Sequence, residues 1–94
     1  MEQIVVCIPA YNPKRALIWL LERLTEHPFH RIVIVNDGSD INSDKIFEEA
    51  ARFENVDILR VEQNRGKGKA IKMGLQYIMK NIPTVKGVLT CGAD

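Results

Sequence analysis

The stretch Arg31-Ile32-Val33-Ile34-Val35-Asn36-Asp37-Gly38-Ser39-Asp40 decides the fold of this chain. Its Ile/Val run shows no polar alternation, which marks a strand buried on both faces, the kind found in parallel sheets. The change to Asn-Asp-Gly-Ser then places a polar turn where that strand leaves the sheet. Working outward, similar apolar runs predict strands at 3–8, 57–62 and 87–91, with the central one at 31–36.

The segments between these runs have helical periodicity. Leu17, Leu20, Leu21 and Leu24 share one face of a first helix, with Asn12 read as its N-cap and Pro13 as its first position. Ile46, Phe47, Ala50 and Phe53 line a second helix capped by Asn42 or Ser43. Ile71, Gly74, Leu75 and Ile78 line a third, ended by Asn81 and Pro83. Alternating strands and helices predict an α/β fold of three layers, α/β/α, with a four-stranded parallel sheet in the order β-α-β-α-β-α-β. Right-handed crossovers bring all strand carboxyl ends to one edge. Trp19 falls off the leucine stripe, and is either a partly exposed flank residue or a contact for another part of the protein.

Length and composition narrow the function. Ninety-four residues, 46% hydrophobic and 27% charged, make a single globular unit. Thirteen basic and twelve acidic residues give a net charge of +1, so no global field favours nucleic acid or an anionic membrane. Cys7 and Cys91 lie in apolar runs and read as small buried hydrophobes, with a cytoplasmic setting as the default. No run approaches the roughly 20 apolar residues of a membrane span, and the amino terminus lacks the features of a signal peptide.

Ligands of open α/β sheets bind beyond the strand carboxyl ends, where strand order reverses. There the chain places Pro9-Ala10-Tyr11-Asn12, Asp37-Gly38-Ser39-Asp40, Gln63-Asn64-Arg65-Gly66-Lys67-Gly68-Lys69 and Gly92-Ala93-Asp94. Cations at the start of a helix oppose its dipole by about 0.3–1 kcal/mol each. Arg65, Lys67 and Lys69 therefore read either as an anion site, with Gly66 and Gly68 allowing close approach, or as a solvated basic turn. The loop is neither a Walker A sequence, since Ala70 stands at the Ser/Thr position, nor G-x-G-x-x-G. Asp37 reads as an acceptor for a base or ribose, or as a turn residue, the role assigned to Asp40. Tyr11 stacks on a base or covers the sheet edge. Asp94 is a ligand for a hard divalent cation or a frayed terminal residue. His27 and His30 fall at the opposite edge.

Taken together, Ile8-Pro9-Ala10-Tyr11-Asn12, Ile34-Val35-Asn36-Asp37-Gly38-Ser39, Asn64-Arg65-Gly66-Lys67-Gly68-Lys69-Ala70 and Ala93-Asp94 resemble the amino-terminal, nucleotide-binding half of a family 2 glycosyltransferase with the GT-A fold. The resemblance implies an inverting transferase with a nucleotide-diphosphate sugar donor, usually a UDP-sugar, and a divalent metal, Mg²⁺ or Mn²⁺. Its acceptor is a glycan hydroxyl or, as in the related polyprenyl-phosphate sugar transferases, a lipid phosphate. Carried over, Pro9, Ala10 and Tyr11 line the nucleoside pocket, Asn12 counts with them among the nucleotide-sugar-binding residues, Asp37 holds the base, Arg65, Gly66 and Lys67 approach the nucleotide, and Asp94 holds the metal. Gly92-Ala93-Asp94 departs from the family's Asp-Ala-Asp by lacking the first carboxylate. The acceptor part and catalytic base are expected beyond Asp94, so no catalytic residue is nominated, these residues alone are expected not to turn over, and their uncovered surfaces are expected to favour self-association. The alternatives are a non-catalytic nucleotide or effector-binding module and a structural module whose polar loops are only turns.

Overall fold

The computed structural model describes residues 3–92. In chain order the elements are β1 (Ile4–Ala10), α1 (Arg15–Leu24), β2 (Arg31–Asp37), a 3-10 turn (Ile41–Ser43), α2 (Asp44–Ala50), β3 (Val56–Val61), α3 (Lys67–Asn81) and β4 (Gly87–Thr90). The four strands are parallel, as the apolar runs predict, and lie in the order β3-β2-β1-β4. The order moves outward from β1 to β3 and then returns to the other side of β1. The reversal therefore falls between β1 and β4.

Alternate residues of the central strands feed two cores. Val6, Ile8, Ile32 and Ile34 pack under α1 and α2 with Leu17, Ile18, Leu21, Phe47 and Ala50. Val5, Cys7, Val33 and Val35 pack on the other face with Ala70 and Ile78 of α3. Gly74 lets α3 lie close: a Cβ there would fall 2.5 Å from Cys7 Sγ and 3.1 Å from Val35 Cγ2. A glycine in mid-helix costs about 0.5–1 kcal/mol relative to alanine. Forcing a methyl into this packed contact would cost about 1–3 kcal/mol, so the glycine is the cheaper choice.

Several boundaries differ from the sequence reading for identifiable reasons. β1 runs through Pro9 to Ala10. The Cys7 carbonyl accepts from Cys91 N at 3.1 Å, so Pro9, two residues on, turns its nitrogen to the same side, past the last paired residue of β4. Its missing N–H leaves no ladder bond unmade. Asn12 is not the cap of α1; Lys14 occupies that position without a side-chain bond. Ser43 precedes α2, likewise without a side-chain bond, while Asp40 caps the 3-10 turn by accepting from Asn42 N at 3.0 Å. Phe53 lies beyond α2 yet packs against the first core. Trp19 is 61% exposed, off the buried stripe as the helical spacing requires.

Candidate functional site

At the strand carboxyl ends, side chains tie the segment after β1 to that after β2, and that after β2 to that after β3. Asp37, buried at the end of β2, accepts from Arg65 N at 2.9 Å through Oδ1 and from Gly66 N at 3.1 Å through Oδ2. Gly38, at φ +69°, sits so close to the loop after β3 that a Cβ would fall 2.3 Å from Asn64 N. Only glycine adopts this backbone and leaves this space without strain. Asn36 Oδ1 accepts from Ser39 N at 3.1 Å, and Ser39 Oγ accepts from Asn12 N at 2.8 Å. Asn12 Oδ1 in turn accepts from Asp40 N at 2.9 Å. Asn12 holds φ +47°, a region that asparagine enters more readily than most side chains.

These ties frame a pocket of about 200 Å³ lined by Pro9, Ala10, Tyr11, Asp37, Asn64, Lys67 and Gly92. It lies at the strand-order reversal, where such sheets bind ligands. Tyr11 is half exposed above it. Of the residues expected at the site, Pro9, Ala10, Tyr11, Asp37 and Lys67 meet here. Asn12 and Gly66 shape the surrounding loops through the bonds just described. Asp94 lies outside the described residues.

Two features of the third loop differ from a simple phosphate cradle. The anion expected where α3 begins is supplied by the protein itself, because the Asp37 carboxylate takes the amides of Arg65 and Gly66. The three cations also separate. Lys67 lines the pocket, whereas Arg65 and Lys69 join Val61, Lys72, Met73 and Gln76 around another cleft of about 430 Å³. Gly68 has open space where a Cβ would stand, so no close contact within the chain requires it.

Asn64 also lines the pocket, as does Gly92, which the sequence marks only as the missing carboxylate of Asp-Ala-Asp, and Asn36 and Ser39 tie the loops. The available signal was their position: each lies within two residues of a strand end at the binding edge or, for Asn64, in the loop that follows one. Among the described residues, no three His, Cys, Asp or Glu side chains converge to hold a metal ion. Both Asp37 oxygens are engaged by amides, and Gly92 contributes no side chain. The described residues thus do not form a divalent-cation site by themselves. His27 sits at the opposite edge, 6.0 Å from Phe29 between ring centroids.

A parallel sheet crossed by helices on both faces, with a polar pocket at the reversal of strand order, defines a Rossmann-like α/β protein of the GT-A type. The chain belongs to glycosyl transferase family 2, whose sequence profile matches residues 5–83. It is 37% identical over 78 residues to a dolichyl-phosphate beta-glucosyltransferase of Trichomonas vaginalis, covering 71% of this chain and 24% of that protein. It is 34% identical over 74 residues to an undecaprenyl-phosphate 4-deoxy-4-formamido-L-arabinose transferase of Proteus mirabilis, covering 73% and 23%. Among solved structures, S. aureus TarS in complex with UDP-GlcNAc superposes with a TM-score of 0.75 at 25% identity, covering 98% of this chain and 26% of TarS. The chain spans between 18% and 36% of the length of these and other curated relatives.

Proposed function

We propose that this chain forms the donor-nucleotide-binding part of an inverting glycosyltransferase. Its ligand is a nucleotide-diphosphate sugar, a UDP-sugar by preference, and the whole protein passes the sugar to an acceptor hydroxyl or polyprenyl phosphate. The observation that carries this reading is the meeting of Pro9, Ala10 and Tyr11 from the end of β1, Asp37 from the end of β2 and Lys67 from the start of α3 in one pocket at the strand-order reversal. The UDP-GlcNAc complex of TarS and the polyprenyl-phosphate transferases among the relatives support the choice of donor and acceptor classes.

The residues divide the task by chemistry. The Tyr11 ring stands at the mouth, where it stacks on a base. Each Asp37 oxygen bonds one amide and keeps a second lone pair, which accepts a base N–H or a ribose hydroxyl. The backbone ties hold that carboxylate before the ligand arrives, so little ordering entropy is lost on binding. Lys67 supplies positive charge toward the phosphates. At about 200 Å³ the pocket is smaller than the roughly 300 Å³ of a complete small-molecule site, so it takes the nucleoside end and other parts of the whole protein enclose the sugar. A divalent metal, which the family implies, would supply neutralising charge to a leaving diphosphate. The described residues offer no ligand set for one.

The test is titration of the chain with UDP, GDP and ATP, followed by amide NMR or calorimetry. UDP is expected to shift resonances of Tyr11, Asp37, Asn64 and Lys67, and Asp37→Ala is expected to abolish binding. UDP shifts confined to other surfaces, or full affinity in Asp37→Ala, would remove the pocket from the reading. Tighter binding of ATP than of UDP would favour a different nucleotide-binding role.

A further inference from the structure

We infer that the Lys67 ammonium occupies the ground beside position 92 that a metal-holding carboxylate would use, and acts as the counter-charge for the diphosphate. The inference rests on the nucleotide-sugar reading above and specifies how the charged end of the ligand is held.

Among the described residues, Lys67 is the one cationic side chain lining the pocket. A Cβ built on Gly92 would stand 3.5 Å from Lys67 Nζ, an ordinary contact that leaves an acidic side chain at that position pressed against the ammonium. Glycine there keeps the ammonium open to a ligand. The pocket's own carboxylate, Asp37, spends an oxygen on each of two amides, and among the described residues Lys67 forms no ion pair. Arg65, the alternative counter-charge, lines the separate cleft with Lys69 and Lys72. Lys67 is also the first residue of α3, whose first turn holds no acidic side chain. With the Arg65 and Gly66 amides already taken by Asp37, the ammonium is the positive charge left for a diphosphate, and a carboxylate–metal pair at position 92 would compete with it for the same oxygens.

The experiment measures UDP affinity of the chain in EDTA and in Mg²⁺ by calorimetry, and uridine affinity by NMR titration. UDP is expected to bind in EDTA, with Mg²⁺ changing Kd by no more than about threefold. Lys67→Gln is expected to weaken UDP by about 10- to 100-fold, the size of a lost charge-assisted hydrogen bond, while leaving uridine unchanged. Lys67→Arg keeps most of the affinity. Gly92→Asp weakens UDP in EDTA as Lys67→Gln does. Lys72→Gln, in the other cleft, serves as the unchanged control, and thermal melts confirm folding of each variant.

UDP binding that requires Mg²⁺ and is indifferent to Lys67→Gln would overturn the inference and leave the nucleotide reading standing. Equal loss of UDP and uridine in Lys67→Gln would also overturn it, by assigning the lysine to the shape of the pocket. Absence of UDP binding by the unmodified chain under both conditions would remove the nucleotide reading, and this inference with it.

Discussion

The two ends of the sheet carry clefts of opposite character. The amino edge holds one of about 350 Å³, lined by Leu24, Thr25, His27, Phe29, Arg52 and neighbours, larger than the pocket of about 200 Å³ at the strand-order reversal. Side-chain hydrogen bonds near the larger cleft are local, such as Thr25 Oγ1 to the Glu22 carbonyl at 3.0 Å, and the long-range bond between its lining residues, Ile32 N to the Asn55 carbonyl at 2.7 Å, is backbone only. Those at the smaller one join residues 27 to 29 positions apart. A gap between helix ends arises wherever two helices stop together. A pocket held by side chains from three loops forms only where the sequence supplies the right acceptor at each strand end. Convergence, rather than volume, identifies the site.

The sharpest way to break this contrast is Gly38→Ala, which brings a methyl against the backbone of Asn64 at a positive φ. It is expected to destabilise the chain by about 2–4 kcal/mol in urea denaturation. A variant as stable as the parent would show that the loops are not tied as described. Asp37→Asn comes next. Its amide group meets one of the two N–H donors with a donor of its own, for an expected loss of about 1–3 kcal/mol. Hydrogen exchange at the Arg65 and Gly66 amides should accelerate. Ser39→Ala removes only the acceptor of Asn12 N and should lose about 0.5–1.5 kcal/mol. Arg52→Ala, at the amino edge, is expected to leave both the denaturation midpoint and UDP affinity unchanged; an effect as large as that of Ser39→Ala would erase the distinction.

The smallest expected effect concerns the cysteines. Burial pushes the Cys7 thiol above its ordinary value of 9.0, so the folded state favours the protonated form. Its contribution is complete below that ordinary value and is lost as pH rises through the folded one. Stability should therefore fall on the alkaline side, less steeply in Cys7→Ala. In the native state, half-buried Cys91 should react with a thiol reagent while Cys7 does not.

Much of the fold was legible because its signals are local. The Ile32–Val35 run, the spacing of Leu17 and Leu21 and the Asn81/Pro83 stop each depend on a few neighbouring residues. Topology brings Pro9, Ala10, Tyr11, Asp37 and Lys67 to one sheet edge, and the family resemblance groups them as one site. Asn12 was misread for the complementary reason. Asn-Pro is a local helix-start signal, but the partners of Asn12 are Ser39 and Asp40, set by a tertiary contact no neighbouring residue reveals. The basic cluster hid its division because three cations in five residues read as one patch. Residues two apart on a helix point about 200° away from each other, which sends Lys67 and Lys69 to different clefts. That the Asp37 carboxylate would meet both Arg65 and Gly66 amides depended on how tightly Gly38 lets the loops approach.

The long span of the Asp37 bonds also bears on how the chain folds. No contiguous segment contains the pocket, whose lining runs from Pro9 to Gly92, nearly the full described length. It cannot exist until β3 and β4 have docked on opposite sides of the central pair, and such non-local parallel pairings are the slow part of assembly. The pocket is thus a late-forming structure, and a ligand that fits it recognises completed chains over partly folded ones. A nucleotide at about 100 times its Kd would hold the finished sheet by about 2.7 kcal/mol, a large share of the stability of so small a unit.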